Sequence, residues 1–159
     1  MQNQVESSFF EDVTEGASSV TGSFQLTADE VVAFAERWDP LPMHLGAEGA
    51  RAMGLETLSA PAALTFAIKQ RLLHELPIMR SVIAAVGYEA VRFPAPLYAG
   101  RTVRLHVDTV AKRPSRSKPD RGLVTLRLRL ITERDETVLD YLDTILVRRR
   151  TRALERALP

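Results

Sequence analysis

The stretch Ala62-Ala63-Leu64-Thr65-Phe66-Ala67-Ile68 is small or apolar at nearly every position, and it follows Ser59-Ala60-Pro61. Proline suits the first turn of a helix, where its missing amide costs no hydrogen bond. A helix therefore opens here, with Ser59 as its cap, and Pro77 ends it. Most helices of globular proteins bury one stripe, whereas a helix that is apolar all round has to be enclosed on every side. Polar residues return from Lys69 onward, so the enclosed part is the N-terminal half. The rest of the chain must supply a wrapping.

That wrapping follows downstream. Residues 81–93, 101–112, 122–133 and 137–149 read as four long strands. The third alternates most cleanly, with Val124, Leu126, Leu128 and Leu130 on one face and Thr125, Arg127 and Arg129 on the other. Pro94-Ala95-Pro96 with Gly100, residues 114–122, and Arg134-Asp135-Glu136 are the turns between them. Such short links imply antiparallel neighbours. Upstream, residues 18–25 can form a short strand. Thr27 and Glu30 then have the spacing of a capping box, and Leu26 with Val31 that of a hydrophobic staple. The helix they start carries Val31, Phe34, Ala35 and Trp38 on one apolar face, and residues 46–53 make a further helical turn closed by Gly54. The expected class is α+β: a curved antiparallel sheet wrapped around a long central helix. One domain spans 1–159, with 1–16 as an N-terminal arm against the surface and 150–159 as a C-terminal tail.

Composition narrows the function. A chain of 159 residues, 45% hydrophobic and 26% charged, fits a soluble globular domain with a core of its own. Its 21 basic and 20 acidic side chains leave a net charge of +1, which argues against a nucleic-acid or membrane partner. The absence of cysteine excludes disulfides, thiolate nucleophiles and cysteine metal sites. No stretch has the form of a signal peptide or approaches the ~20 apolar residues of a membrane span. The cytoplasm is the expected location.

Chemistry concentrates in Trp38-Asp39-Pro40-Leu41-Pro42-Met43-His44-Leu45. A residue that precedes proline is pushed away from α geometry, so Asp39 and Leu41 are extended and the preceding helix ends by Trp38. A carboxylate and an imidazole then project from a fixed turn and can converge on one small volume. As bare residue types, Asp39 reads equally as a turn carboxylate and His44 as a satisfied, half-buried histidine. His74 and His106 read as surface residues.

The element order and this stretch together resemble the MaoC-like acyl dehydratases, the (R)-specific enoyl-CoA hydratases of the hotdog fold. The family motif is Asp-x-Asn-Pro-x-His with a small residue six positions after the His. Asp39, Pro42 and His44 match it, Ala50 takes the small position, and Leu41 stands where the family has Asn. Leu58-Ser59-Ala60-Pro61 is similar to the entry of the family's central helix without its glycine, and residues 94–100 to its proline-rich turn. The likeness runs from Phe10-Glu11-Asp12-Val13 to Val147-Arg148-Arg149-Arg150.

The resemblance implies reversible hydration of a trans-2-enoyl thioester, carried by coenzyme A or acyl carrier protein, to the (R)-3-hydroxyacyl thioester. Asp39 and His44 would be the catalytic dyad sharing one water, and no cofactor or metal is called for. Free amides at the start of the buried helix, near Ala62 and Ala63, can polarise the thioester carbonyl. Ser59, Trp38 and Met43 complete the expected substrate-binding set, the last two as core or pocket wall. A homodimer is implied as well, since one sheet around one helix leaves an edge and a face to cover. Two alternatives stand beside this reading. One is a non-catalytic acyl-binding or partner subunit, favoured by Leu41. The other is a thioesterase of the same fold, which lacks support because residues 60–68 hold no carboxylate. Two basic runs, Lys112, Arg113, Arg116, Lys118 and Arg121, and then Arg148, Arg149, Arg150 and Arg152, are candidates for meeting the phosphates of the carrier, or else solvated turns.

Overall fold

The computed structural model describes residues 8–150. After a single 3₁₀ turn at Phe10–Asp12 come β1 (Ser18–Gln25), α1 (Ala28–Trp38), α2 (Pro42–Leu45), α3 (Ala47–Ala52) and α4 (Ala62–Leu73). A second 3₁₀ turn, Pro77–Ser81, leads into β2 (Val82–Arg92), β3 (Thr102–Pro114), β4 (Arg121–Thr132) and β5 (Thr137–Arg148). All pairings are antiparallel and the sheet order is β1-β3-β4-β5-β2, so β1 and β2 are the edges. The strands read from alternation are all present. No helix among the described residues is long and apolar enough to cross a membrane.

Alternation decides which face is the core. Val103, Leu105 and Val107 of β3, Val124, Leu126, Leu128 and Leu130 of β4, and Tyr141, Ile145 and Val147 of β5 are buried on the face toward α4. Their outward neighbours carry cross-strand charge pairs. Arg127 donates twice to Asp140 at 3.1 and 2.8 Å, and Arg129 donates to Asp108 at 2.8 Å. The arm is more than surface dressing, because Phe10 and Val13 join the core. A β-carbon at Gly122 would overlap the Phe10 ring, so this strand position has to be glycine for the arm to lie flat. Residues 1–7 and 151–159 of the expected arm and tail lie outside the described residues.

Two expectations for α4 need correcting. The sheet covers only the stripe Thr65, Ile68, Lys69, Leu72 and Leu73, and leaves Ala62, Ala63 and Ala67 exposed in a single chain. Five strands curving under one helix reach one side of it, so enclosure on all sides is not achieved by one copy. Edge strand β2 is open along the same flank: Ile83, Val86, Tyr88, Val91 and, just beyond it, Phe93 are exposed. The pairing of β2 with β5 is irregular at three places, between Val82 and Ala84, Ala85 and Gly87, and Glu89 and Arg92. Near the last of these, Ala90 takes a φ of 53°.

The second correction is Lys69, which does not mark a return to solvent and is 0% exposed. Its ammonium lies 4.0 Å from the Phe66 ring centroid and 5.2 Å from that of Tyr141, and donates to Gln70 Oε1 at 2.9 Å. Burial pushes the amine down to about 8, against the opposing attraction of Asp143. An unfolded lysine holds its proton to a pH of about 10.4. Between those values the unfolded chain therefore binds more protons than the folded one, and stability rises with pH. Urea unfolding should accordingly show a free energy that increases from a pH of about 8 toward about 10, and Lys69→Met should flatten that increase.

Candidate active site

The dyad is placed by backbone. Thr27 Oγ1 accepts the Glu30 amide at 3.2 Å and Glu30 Oε2 accepts the Thr27 amide at 2.9 Å, so the capping box closes as the spacing requires. At the other end of α1 the Asp39 amide donates to the Ala35 carbonyl at 2.9 Å, while Asp39 itself leaves helical geometry with φ −156° and ψ 73°. Pro40 follows and Leu41 is extended. Pro42 then does what proline does best in a helix and occupies its first position, so the turn that carries His44 is one helical turn, α2. The His44 amide donates to the Leu41 carbonyl at 2.9 Å. The Leu41 side chain is exposed, and its backbone alone holds this corner.

The His44 ring is buried, and its Nδ1 is 2.7 Å from the Ser59 carbonyl. A carbonyl only accepts, so Nδ1 carries a proton, and in the neutral ring Nε2 presents a lone pair. That lone pair faces Asp39 Oδ2 at 3.7 Å. The separation is too long for a direct hydrogen bond, and it lets one water bridge both atoms. Asp39 is the open side of the pair, its side chain 39% exposed against 5% for His44.

Ser59 belongs to the site through its main chain. Its amide donates to the Met43 carbonyl at 3.3 Å, it bridges to Tyr98, and the next amide, of Ala60, donates to the Leu97 carbonyl at 2.7 Å. The entry to α4 is thus clamped between α2 and the proline-rich turn. Ser59 is not the cap that the sequence suggested: Pro61 is the N-cap residue and no side chain caps the helix. The first bond of α4 runs from the Thr65 amide to the Pro61 carbonyl at 3.0 Å, so the amides of Ala62 and Ala63 stand ahead of it at the positive end of the helix dipole. Met43 is half-buried beside His44. Trp38 is not core, being 64% exposed with the Arg37 guanidinium 4.8 Å from its ring centroid. The last turn of a short helix carries its apolar residue past the body it packs on. His74 is exposed and His106 half-buried on the outward face.

Much of the basic charge has structural partners. The Lys112 ammonium donates to the Val13, Phe10 and Glu11 carbonyls at 2.5, 3.3 and 3.4 Å, Arg121 pairs with Asp120, Arg149 with Glu11 and Arg150 with Asp12. The contacts of Lys112, Arg149 and Arg150 fasten the arm to the strand ends, while Arg121 pairs with its own neighbour in the turn. Arg152 lies outside the described residues.

Gly49 carried no signal in the sequence. Here α3 crosses α2 so closely that a β-carbon on Gly49 would overlap the Pro42 carbonyl. The Ser59 carbonyl was equally silent, because any residue has one.

With this geometry in view, comparison with known proteins is informative. The family model described as MaoC like domain matches residues 12–129. A MaoC-like dehydratase from Rhodospirillum rubrum is 32% identical, with a TM-score of 0.84 over 90% of this chain and 98% of that one. A Mycobacterium tuberculosis protein with a double hotdog fold matches at 22% identity and a TM-score of 0.79, over 94% of this chain and 46% of its own. The unliganded (R)-hydratase PhaJ1 of Pseudomonas aeruginosa matches at 18% identity and a TM-score of 0.73, over 89% of this chain and 86% of that one. No curated protein matches by sequence.

The crossing of α2 and α3 gives a direct test of how the corner is held. Gly49→Ala should lower stability by about 1–3 kcal/mol in urea unfolding. Gly46→Ala, where an added β-carbon meets nothing within 4 Å, should leave it nearly unchanged.

Proposed function

Given that the chain belongs to the MaoC-like family of hotdog dehydratases and hydratases, we propose that it reversibly hydrates a trans-2-enoyl thioester of coenzyme A or acyl carrier protein to the (R)-3-hydroxyacyl thioester, with Asp39 and His44 as the dyad. The observation that carries this reading is the buried contact of His44 Nδ1 with the Ser59 carbonyl. With Nδ1–H held by the Ser59 carbonyl, Nε2 is free to accept a proton, and Asp39 stands one water away.

In the hydration direction, water sits between Asp39 Oδ2 and His44 Nε2. Nε2 takes one of its protons as the oxygen adds to C3, and the electrons of the double bond move to the thioester oxygen. The Ala62 and Ala63 amides receive that oxygen, where donors already aimed at developing charge need no reorganisation. The new imidazolium, stabilised by the Asp39 carboxylate, returns the same proton to C2. Water is consumed whole, and both new bonds form on the face that looks at the dyad, which gives syn addition.

A second copy completes the proposal. One chain leaves both the apolar side chains of edge strand β2 and the alanines of α4 exposed, and such an edge strand is suited to isologous pairing. We assign the protein as a homodimer paired along β2.

The activity is read by offering crotonyl-CoA and longer enoyl-CoAs and following loss of the enoyl thioester absorbance. Turnover by the native chain is expected, with Asp39→Asn and His44→Ala each lowering kcat by roughly 10²-fold or more. Binding of acyl-CoA without turnover would favour the non-catalytic acyl-binding alternative, and release of free thiol would favour the thioesterase.

A further inference from the structure

The last turn of α1 sets an aromatic ring and a guanidinium beside the dyad, and the proposed chemistry uses neither. Trp38 is 64% exposed, the most open large apolar side chain of the described residues. The Arg37 guanidinium lies over its ring, 4.8 Å from the centroid. That stack covers one face of the indole, and a residue this open leaves the rest of the ring to solvent. Among the described residues Arg37 has no carboxylate within ion-pair distance, and the charged neighbour of Asp39 is His44.

Local stability does not account for the pair. A cation in the last turn complements the helix dipole, but that effect asks for no tryptophan next to it. An exposed indole also forgoes the burial of one of the largest apolar side chains. A flat π-face beside an unpaired guanidinium matches a nucleotide, because the ring stacks on a base and the fork meets a phosphate.

The position selects which nucleotide. His44 and Ser59 are buried whereas Asp39 is open, so the carrier arm of a bound thioester leaves past Asp39, and Trp38 adjoins it. From the sulfur to the first phosphate of coenzyme A is about thirteen bonds, the equivalent of about four residues of backbone. Such an arm spans about 11 Å as a flexible chain and about 15 Å at full stretch. Arg37, at most about 8 Å of backbone from Asp39, falls inside that span. The basic run at the β3–β4 turn does not. β3 leaves the site at Thr102, close to the Tyr98 that bridges to Ser59, and reaches Pro114 after roughly 40 Å of strand, which puts Arg113, Arg116 and Lys118 of the same chain beyond the arm.

From this geometry we infer that Trp38 and Arg37 form a docking platform for the nucleotide end of coenzyme A, the indole stacking on the adenine and the guanidinium meeting the diphosphate. The inference rests on the proposed reading for where the thioester sits, and it deepens that reading by naming the carrier. Coenzyme A is then the preferred form of the substrate, since the arm of an acyl carrier protein brings one phosphate and no base to stack.

The chain has one tryptophan, so its intrinsic fluorescence reports on Trp38 alone. Hexanoyl-CoA, which has no double bond to hydrate, and hexanoyl-pantetheine, which lacks the nucleotide, are titrated into the native protein. The first should quench the emission and bind about tenfold or more tighter by calorimetry, and the second should leave the emission unchanged. With crotonyl-CoA and crotonyl-pantetheine as substrates, the preference for the coenzyme A form in kcat/KM should fall about tenfold in Trp38→Ala. Trp38→Tyr keeps a π-face and should restore most of it, while Arg37→Gln should lower the preference and weaken its dependence on salt. Equal affinity of the two hexanoyl thioesters, equal quenching by both, or a preference that survives Trp38→Ala would overturn the platform. Hydration of crotonyl-pantetheine by the native chain reports on the dyad without the nucleotide, so a failure of the proposed activity is read separately.

Discussion

The hydrogen bond from His44 Nδ1 to the Ser59 carbonyl, 2.7 Å long and buried, is the contact on which the site depends. It joins α2, which carries the imidazole, to the segment that becomes α4, which carries the free amides. It also fixes which nitrogen holds a proton. One bond thereby sets the position and orientation of the imidazole that we propose handles water, and which of its nitrogens is protonated in the neutral ring. Asp39 has no comparable anchor for its side chain, and this asymmetry suits their parts. In the proposed chemistry the base is the buried, anchored member and the carboxylate the open one.

The fold is arranged to protect that bond. Two further backbone contacts, Ser59 to Met43 and Ala60 to Leu97, hold these two neighbouring residues from both sides. Beyond them the core is a simple matter of one sheet face against one helix stripe, dominated by leucine and valine whose burial supplies the stability. Polar exceptions inside that core therefore stand out.

Most of the architecture was legible in the sequence because it rests on local rules. Runs between turn signals, with clean alternation in β4, located the strands, Thr27 and Glu30 located the start of α1, and the prolines at 40 and 42 located its end. What escaped has a common physical character. Ser59 matters through a carbonyl and Gly49 through the absence of a β-carbon, and neither leaves a chemical signature in a string of letters. Lys69 misled because lysine is so seldom buried that a return to solvent was the natural expectation. The uniform apolarity of residues 62–68 was a true signal with a wrong radius: it called for more cover than one copy of the sheet provides. Trp38 failed for the opposite reason, since helical spacing says which side a residue faces and not whether anything is there to meet it.

The three irregularities in the pairing of β2 with β5 have a consequence for how this protein behaves in a crowded solution. A straight, flat edge strand with exposed valines is a template for any extended chain, and repeated addition to it builds fibrils. Bulges raise the local twist and break the even spacing of free amides and carbonyls. The register is interrupted between Val82 and Ala84, Ala85 and Gly87, and Glu89 and Arg92, so no long even run of free amides and carbonyls is offered. The irregular backbone makes this edge a poor template for the regular strand addition that builds fibrils.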